Sequence, residues 1–156
     1  MTAESIEGGA RPYYCERATA VDDELIAAVA TLLPQLTSVA PTLTREALSE
    51  IIASPGNTVL VARDRSRNDR IVGMLTLVVF PLPSGTRASI EDVTVDVDVR
   101  GKGVGEQLTR RALEIARAKG AAAVDLTSRP SREAANALYT KVGFTRRETN
   151  VYRYTF

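Results

Sequence analysis

Residues 90–105 read Ile90-Glu91-Asp92-Val93-Thr94-Val95-Asp96-Val97-Asp98-Val99-Arg100-Gly101-Lys102-Gly103-Val104-Gly105. The first half is rich in β-branched residues, with Ile90, Val93, Val95 and Val97 among them, as expected of a strand. The second half breaks into glycines at alternate positions, Gly101, Gly103 and Gly105. Beyond it Leu108, Ala112, Ile115 and Ala116 recur at helical spacing. The order is therefore strand, glycine turn, helix. Glycines there let backbone N–H groups turn toward an anion. The helix that follows adds its positive N-terminal end, and Arg100 and Lys102 add full charges. The stretch reads as a pyrophosphate cradle formed by Arg100, Gly101, Lys102, Gly103, Val104 and Gly105, with a plain surface loop as the bland alternative.

Two other glycine motifs are excluded. A nucleotide-hydrolase loop needs G-x-x-x-x-G-K-[ST], and no such run occurs. A dinucleotide-binding fold places its glycines after the first strand, whereas these come late and are spaced G-x-G-x-G.

Working outward, Tyr13 opens a strand over 13–18. Asp22 and Asp23 start a helix that runs to Leu33, where Pro34 ends it. A second helix covers 44–53 and stops before Pro55-Gly56-Asn57. Strands over 58–63 and 71–80 flank a polar hairpin loop. A strand over 88–97 precedes the glycine turn, and its helix ends near Lys119 and Gly120. A strand over 122–127, a helix over 132–141 stopped by Gly143, and two short strands over 144–149 and 151–156 complete the chain. The order β-α-α-β-β-β-α-β-α-β-β predicts a mixed α/β sandwich of three layers. Its central sheet is mixed and mostly antiparallel, with helices on both faces. Residues 1–12 read as a flexible tail and 13–156 as a single domain.

The composition removes several chemistries. The chain has 156 residues, 20 Lys or Arg against 19 Asp or Glu, no His and one Cys. Without His there is no imidazole acid–base pair and no His-ligated zinc. One Cys, Cys15, builds neither a disulfide framework nor a redox pair, and reads as a buried thiol in a strand. The net charge of +1 argues against a general nucleic-acid binder. No apolar run approaches the ~20 residues needed to span a bilayer. A soluble cytoplasmic protein with no bound metal, no nucleic acid and no membrane partner is the expectation.

On these residues the chain resembles the GNAT superfamily of N-acetyltransferases. Residues 90–105 are similar to that family's strand and its Arg/Gln-x-x-Gly-x-Gly/Ala loop, here Arg100, Gly103 and Gly105. About forty residues on, "ANALYTKVGF" (135–144) resembles its second block, a helix ending in Leu-Tyr-x-x-x-Gly-Phe. The likeness in element order covers nearly the whole chain. It implies an acyl-CoA N-acyltransferase-like fold and transfer of an acetyl group from acetyl-CoA to an amine of a small molecule or protein. It also implies that the strand over 88–97 splays from the strand over 122–127. Backbone groups of Val93, Thr94 and Val95 would then hold the pantetheine arm, with the Val95 N–H as oxyanion donor. Tyr139 matches the family's general acid.

Glu91 is the base candidate, the alternative being an acid that only binds the positive charge of the substrate. In an alternating strand it shares a face with Val93 and Val95, unless a bulge changes the facing. Asp92 faces the other way and reads as structural or solvated. Many family members carry an Asn seven residues before the helix Tyr, where this chain has Arg132; either Arg132 or Asn136, on the same helical face as Tyr139, is the candidate for that cofactor contact. The run 90–95 is also similar to the equivalent strand of glucosamine-6-phosphate N-acetyltransferases, but those typically carry a His where Ser89 stands, which makes that substrate a weak option. Homodimers are common in the family. The alternative is a non-catalytic acyl-CoA-binding regulatory module, which keeps the glycine loop and needs no proton chemistry.

Overall fold

The computed structural model describes residues 11–156; the expected tail over 1–12 lies almost wholly outside the described residues. Five strands form one sheet in the order β1-β2-β3-β4-β5. They are β1 (Tyr13–Arg17), β2 (Asn57–Asp64), β3 (Arg70–Leu82), β4 (Gly85–Val95) and β5 (Val124–Asp125). The first four pair antiparallel and β4 pairs β5 in parallel, so the sheet is mixed and mostly antiparallel. The helices are α1 (Asp23–Leu36), α2 (Arg45–Ala53), α3 (Val104–Ala118) and α4 (Glu133–Val142). The chain divides into two compact bodies, one ending at Leu126 and one spanning Thr127–Phe156.

In the first body the helices cover both faces of the sheet. Leu25, Val29, Leu32 and Leu33 of α1 and Leu48 of α2 bury against Val61, Ile71 and Met74. The opposite face carries α3, whose Leu108 and Ala112 are completely buried. Gly73 marks how close α3 comes. A Cβ there would lie 3.2 Å from the Leu108 and Val104 side chains and 3.3 Å from the Thr94 carbonyl. A larger residue would push the helix off the sheet.

The sequence reading needs three corrections. Pro34 does not end α1, which continues to Leu36. Pro34 lacks an N–H and crowds the carbonyl one turn earlier, but with two residues of helix left the turn still closes, because the Thr37 N–H donates to the Leu33 carbonyl at 3.2 Å. The strand expected over 122–127 shrinks to Val124–Asp125. The two strands expected over 144–149 and 151–156 are absent among the described residues. In the last segment the apolar side chains stay open, Tyr152 and Tyr154 being 89% and 83% exposed. Alternation marks a segment able to pair, but a strand needs a ladder partner. No helix among the described residues is long and apolar enough to cross a membrane.

Candidate active site

The first body contributes β4, the turn that follows it, and the start of α3. Strand β4 is not regular. Thr76 faces Glu91, but Met74 faces Thr94, so Asp92 and Val93 together oppose Leu75. This is a β-bulge, and Asp92 has a left-handed φ of 51°. The bulge reverses the expected facing of Glu91. Residues directly opposite across an antiparallel pair share a face. Glu91 therefore shares a face with Thr76, Met74 and Thr94, while Val95 lies on the other face with Gly73. Simple alternation through the strand places Glu91 with Val95, and the extra residue cancels that relation.

Glu91 is exposed, and Ser89 Oγ donates to its Oε1 at 2.6 Å. Asp92 is the carboxyl whose environment is disturbed. Partial desolvation, and secondly the charge of Glu91, push it above the ordinary carboxylate range although much of the residue is open to solvent.

The outer edge of β4 is open beyond its first half. Its ladder with β5 consists of Ala88↔Val124 and Ser89↔Asp125, while β4 runs on to Val95. The Asp96 N–H donates inward to the Val72 carbonyl of β3 at 2.8 Å. Backbone groups of successive strand residues point to opposite edges. The N–H and C=O of Val95, and of Val93 two residues earlier, therefore point to the unpaired side. Arg100 Nε donates to the Val95 carbonyl there at 3.1 Å. This is the splay expected from the resemblance.

After Val95 a short 3-10 turn, Val97–Val99, leads into the glycines. Gly101 and Gly103 have φ of 75° and 83°, a region open to glycine and costly for other residues. Space for a Cβ is empty at both, so conformation and not crowding selects glycine here. Gly103 is the N-cap of α3 and gives it no side-chain cap. The first N–H groups of an α-helix have no partner within the helix. An anion at this turn meets those donors, the helix dipole, and the charges of Arg100 and Lys102. The site thus suits a pyrophosphate by conformation, charge and unspent donors.

The second body carries α4. Gly143, with φ 115°, caps its C-terminus. Tyr139 is buried, and its ring meets Phe144 edge-on with centroids 5.8 Å apart. Burial raises the phenol pKa, and the nearby Arg132 charge opposes that shift. Asn136 lies three residues before Tyr139; its amide nitrogen donates to the Arg129 carbonyl at 3.0 Å and holds the turn before the helix. Among the described residues no group of three or more His, Cys, Asp or Glu could hold a metal ion.

With this geometry in view, comparison with known proteins is decisive. Residues 18–144 match the model of the acetyltransferase (GNAT) family. The chain belongs to the GNAT family. It is 35% identical over 130 residues to a glucosamine 6-phosphate N-acetyltransferase of Oryza sativa, covering 79% of this chain and 76% of that one. A glucosamine 6-phosphate N-acetyltransferase of Trypanosoma brucei is 42% identical over 78 residues, 48% of this chain and 51% of that one. Among solved structures, a Trypanosoma brucei acetyltransferase superposes with a TM-score of 0.74 at 28% identity, covering 92% of this chain and 99% of that one. This GNAT protein is an acyltransferase, and acetyl-CoA is the co-substrate of its family. Sequence reasoning had located the strand, the turn and the helix Tyr. It missed the left-handed Asp92 and the Ser89 bond to Glu91, for which the signal was only the unusual adjacent pair of acids in an apolar strand.

Proposed function

We propose that residues 13–156 form one N-acetyltransferase domain that moves the acetyl group of acetyl-CoA directly to an amine. The observation that carries this is the open outer edge of β4 running into the uncapped, glycine-lined start of α3. When bound, acetyl-CoA supplies an activated acetyl group as a thioester. The amides of residues 101–105, with Arg100 and Lys102, hold its pyrophosphate. The outward backbone groups of Val93 and Val95, with Thr94 between them, hold the pantetheine arm. Asn136 takes part through its amide oxygen or its second N–H, one N–H being given to the Arg129 carbonyl.

Glu91 accepts the proton leaving the acceptor's ammonium group, directly or through one water. The Val95 N–H donates to the carbonyl oxygen as charge develops on it; one preorganised donor of this kind is worth roughly 3 kcal/mol. Tyr139 donates a hydrogen bond to the departing sulfur. The raised phenol pKa bears on how far that proton moves. Full transfer from an ordinary phenol to a thiolate is already uphill by about 2 kcal/mol. A hydrogen bond that strengthens as the C–S bond breaks is therefore the favoured form of this step. Partial burial pushes the Cys15 thiol up to about 11, which disfavours it as a nucleophile and agrees with direct transfer.

For the acceptor we favour an amino sugar. The support is the activity of the rice and trypanosome relatives, both glucosamine 6-phosphate N-acetyltransferases. The test is thiol release with a panel of amines that includes glucosamine 6-phosphate, for the wild type, Tyr139→Phe and Glu91→Gln. Both variants should lower kcat by roughly a hundredfold, the lower end for positioned acid–base groups, with acetyl-CoA binding retained. Binding of acetyl-CoA with no transfer to any amine would instead leave the non-catalytic acyl-CoA-binding reading standing.

A further inference from the structure

The cofactor turn is gripped from a corner that has no part in the chemistry above. Strand β2 ends at Asp64, a one-turn 3-10 helix follows at Arg65–Arg67, and β3 begins at Arg70. Asp64 is buried, and its Oδ1 accepts the Ser66 N–H at 2.9 Å and the Ser66 hydroxyl at 2.6 Å. Its Oδ2 lies 3.5 Å from Arg67 Nε. Arg67 in turn directs Nη1 toward Asp98 Oδ2, at 3.9 Å. Arg70 Nη2 donates to Asp96 Oδ2 at 3.4 Å.

Asp96 and Asp98 shape the segment that delivers the glycine turn. Asp96 is buried, its Oδ1 accepts the Asp98 N–H at 3.2 Å, and its carbonyl accepts the Val99 N–H at 3.0 Å. Val99 is fully buried and is followed directly by Arg100. Asp96 thus pins the end of β4 to β3 and sets where the turn begins. The same two carboxylates carry a liability. They stand four and two residues before Arg100, beside a cradle for an anion, and uncompensated they would repel it. Arg67 and Arg70 face them. Lys102 closes the circuit, since its charge, after the Ser66 hydrogen bonds and Arg67, helps hold the Asp64 carboxyl below the usual range.

We propose that Arg67 and Arg70 are positioning residues for cofactor binding: from the β2–β3 corner they fix and neutralise Asp98 and Asp96, and so hold residues 100–105 ready for an anionic ligand. This rests on the reading that those residues cradle the pyrophosphate. Neither arginine touches the reacting atoms. Their influence falls on affinity for the CoA portion and not on the chemical step.

The experiment measures CoA affinity by calorimetry, and kcat and KM for both substrates, in Arg67→Gln, Arg67→Lys, Arg70→Gln and the pairs Arg67→Gln/Asp98→Asn and Arg70→Gln/Asp96→Asn. Gly103→Val serves as the control on the cradle. Arg67→Gln should weaken CoA binding about three- to tenfold, more at low ionic strength than at high. It should raise KM for acetyl-CoA in step, with kcat and the acceptor KM unmoved, and Arg67→Lys should recover most of the loss. Adding Asp98→Asn should restore affinity, because it removes the charge the arginine was neutralising. Arg70→Gln leaves a buried carboxylate unpaired and can unfold the protein; its pair with Asp96→Asn removes that charge and provides a folded comparison. Wild-type CoA affinity in Arg67→Gln, with Gly103→Val unable to bind, would overturn the corner's role while leaving the cradle intact. Undiminished binding in Gly103→Val would remove the cradle itself. Double variants no better than Arg67→Gln alone would also overturn the proposal.

Discussion

Helices α1 and α2 begin differently from α3. Asp22 accepts the Leu25 N–H at 2.8 Å, and Thr44 Oγ1 accepts the Ala47 N–H at 3.1 Å. Both are ordinary side-chain caps, and both helices serve the core. The start of α3 has a left-handed glycine and no side-chain cap hydrogen bond. The same division runs along β4, where the regular half pairs with β5 and the half nearest the turn carries a bulge and a left-handed Asp92. Where the chain only has to fold, its backbone groups are satisfied from within. Where a ligand is expected, the donors are left for it, and the local cost falls on a few residues.

The comparison can be broken most forcefully at Gly103. Valine at φ 83° costs about 1–2 kcal/mol in backbone strain, and its side chain would stand in the proposed pyrophosphate cradle. Gly103→Val should remove measurable CoA binding in a calorimetric titration. Retained affinity would mean the open helix start is not the cradle.

The capped starts provide the opposite case. Asp22→Ala and Thr44→Ala should each cost about 1 kcal/mol in urea unfolding, with KM for acetyl-CoA unchanged. A change in that KM from either variant would mean the caps and the open start are not functionally separate.

The smallest effect is expected at Asp92. Its carboxyl pKa is raised in the folded protein by partial burial and by Glu91. Ionisation therefore favours the unfolded chain. The associated stability is present in full below the unfolded pKa of about 4 and is lost as pH rises through the higher folded value. Asp92→Asn keeps a residue that tolerates the left-handed conformation. The variant should be slightly more stable than wild type at pH 7, with the advantage vanishing near pH 3. Thermal unfolding across that range would show it; an advantage that persists at pH 3 would assign the effect to something other than charge.

Much of this division was visible in the residues themselves. Asp22, Thr44 and the alternate glycines are local signals, because caps and left-handed turns depend on a few neighbours. The mixed sheet with helices on both faces followed from the element order. What escaped depended on partners. Whether Glu91 faces with Val95 is settled by a register shift against Met74 and Thr76, which alternation within β4 cannot reveal. The short extent of β5, and the absence of strands among residues 144–156, reflect ladder partners and not propensity. Pro34 was read as a stop because its ring is a local fact, while the buried Leu33 beside it holds the helix on the core. Tyr139 as a candidate acid came from a motif; its burial and its contact with Phe144 came from the fold.

The lone Cys15 has a practical consequence. With its thiol pushed to about 11, only about one molecule in a thousand carries the thiolate at pH 8. A thiol-reactive dye added to a turnover mixture will therefore react with released CoA far faster than with the protein. Acetyl transfer can be followed continuously by that colour at ordinary enzyme concentrations, with no need to replace the cysteine and with little background from the enzyme itself.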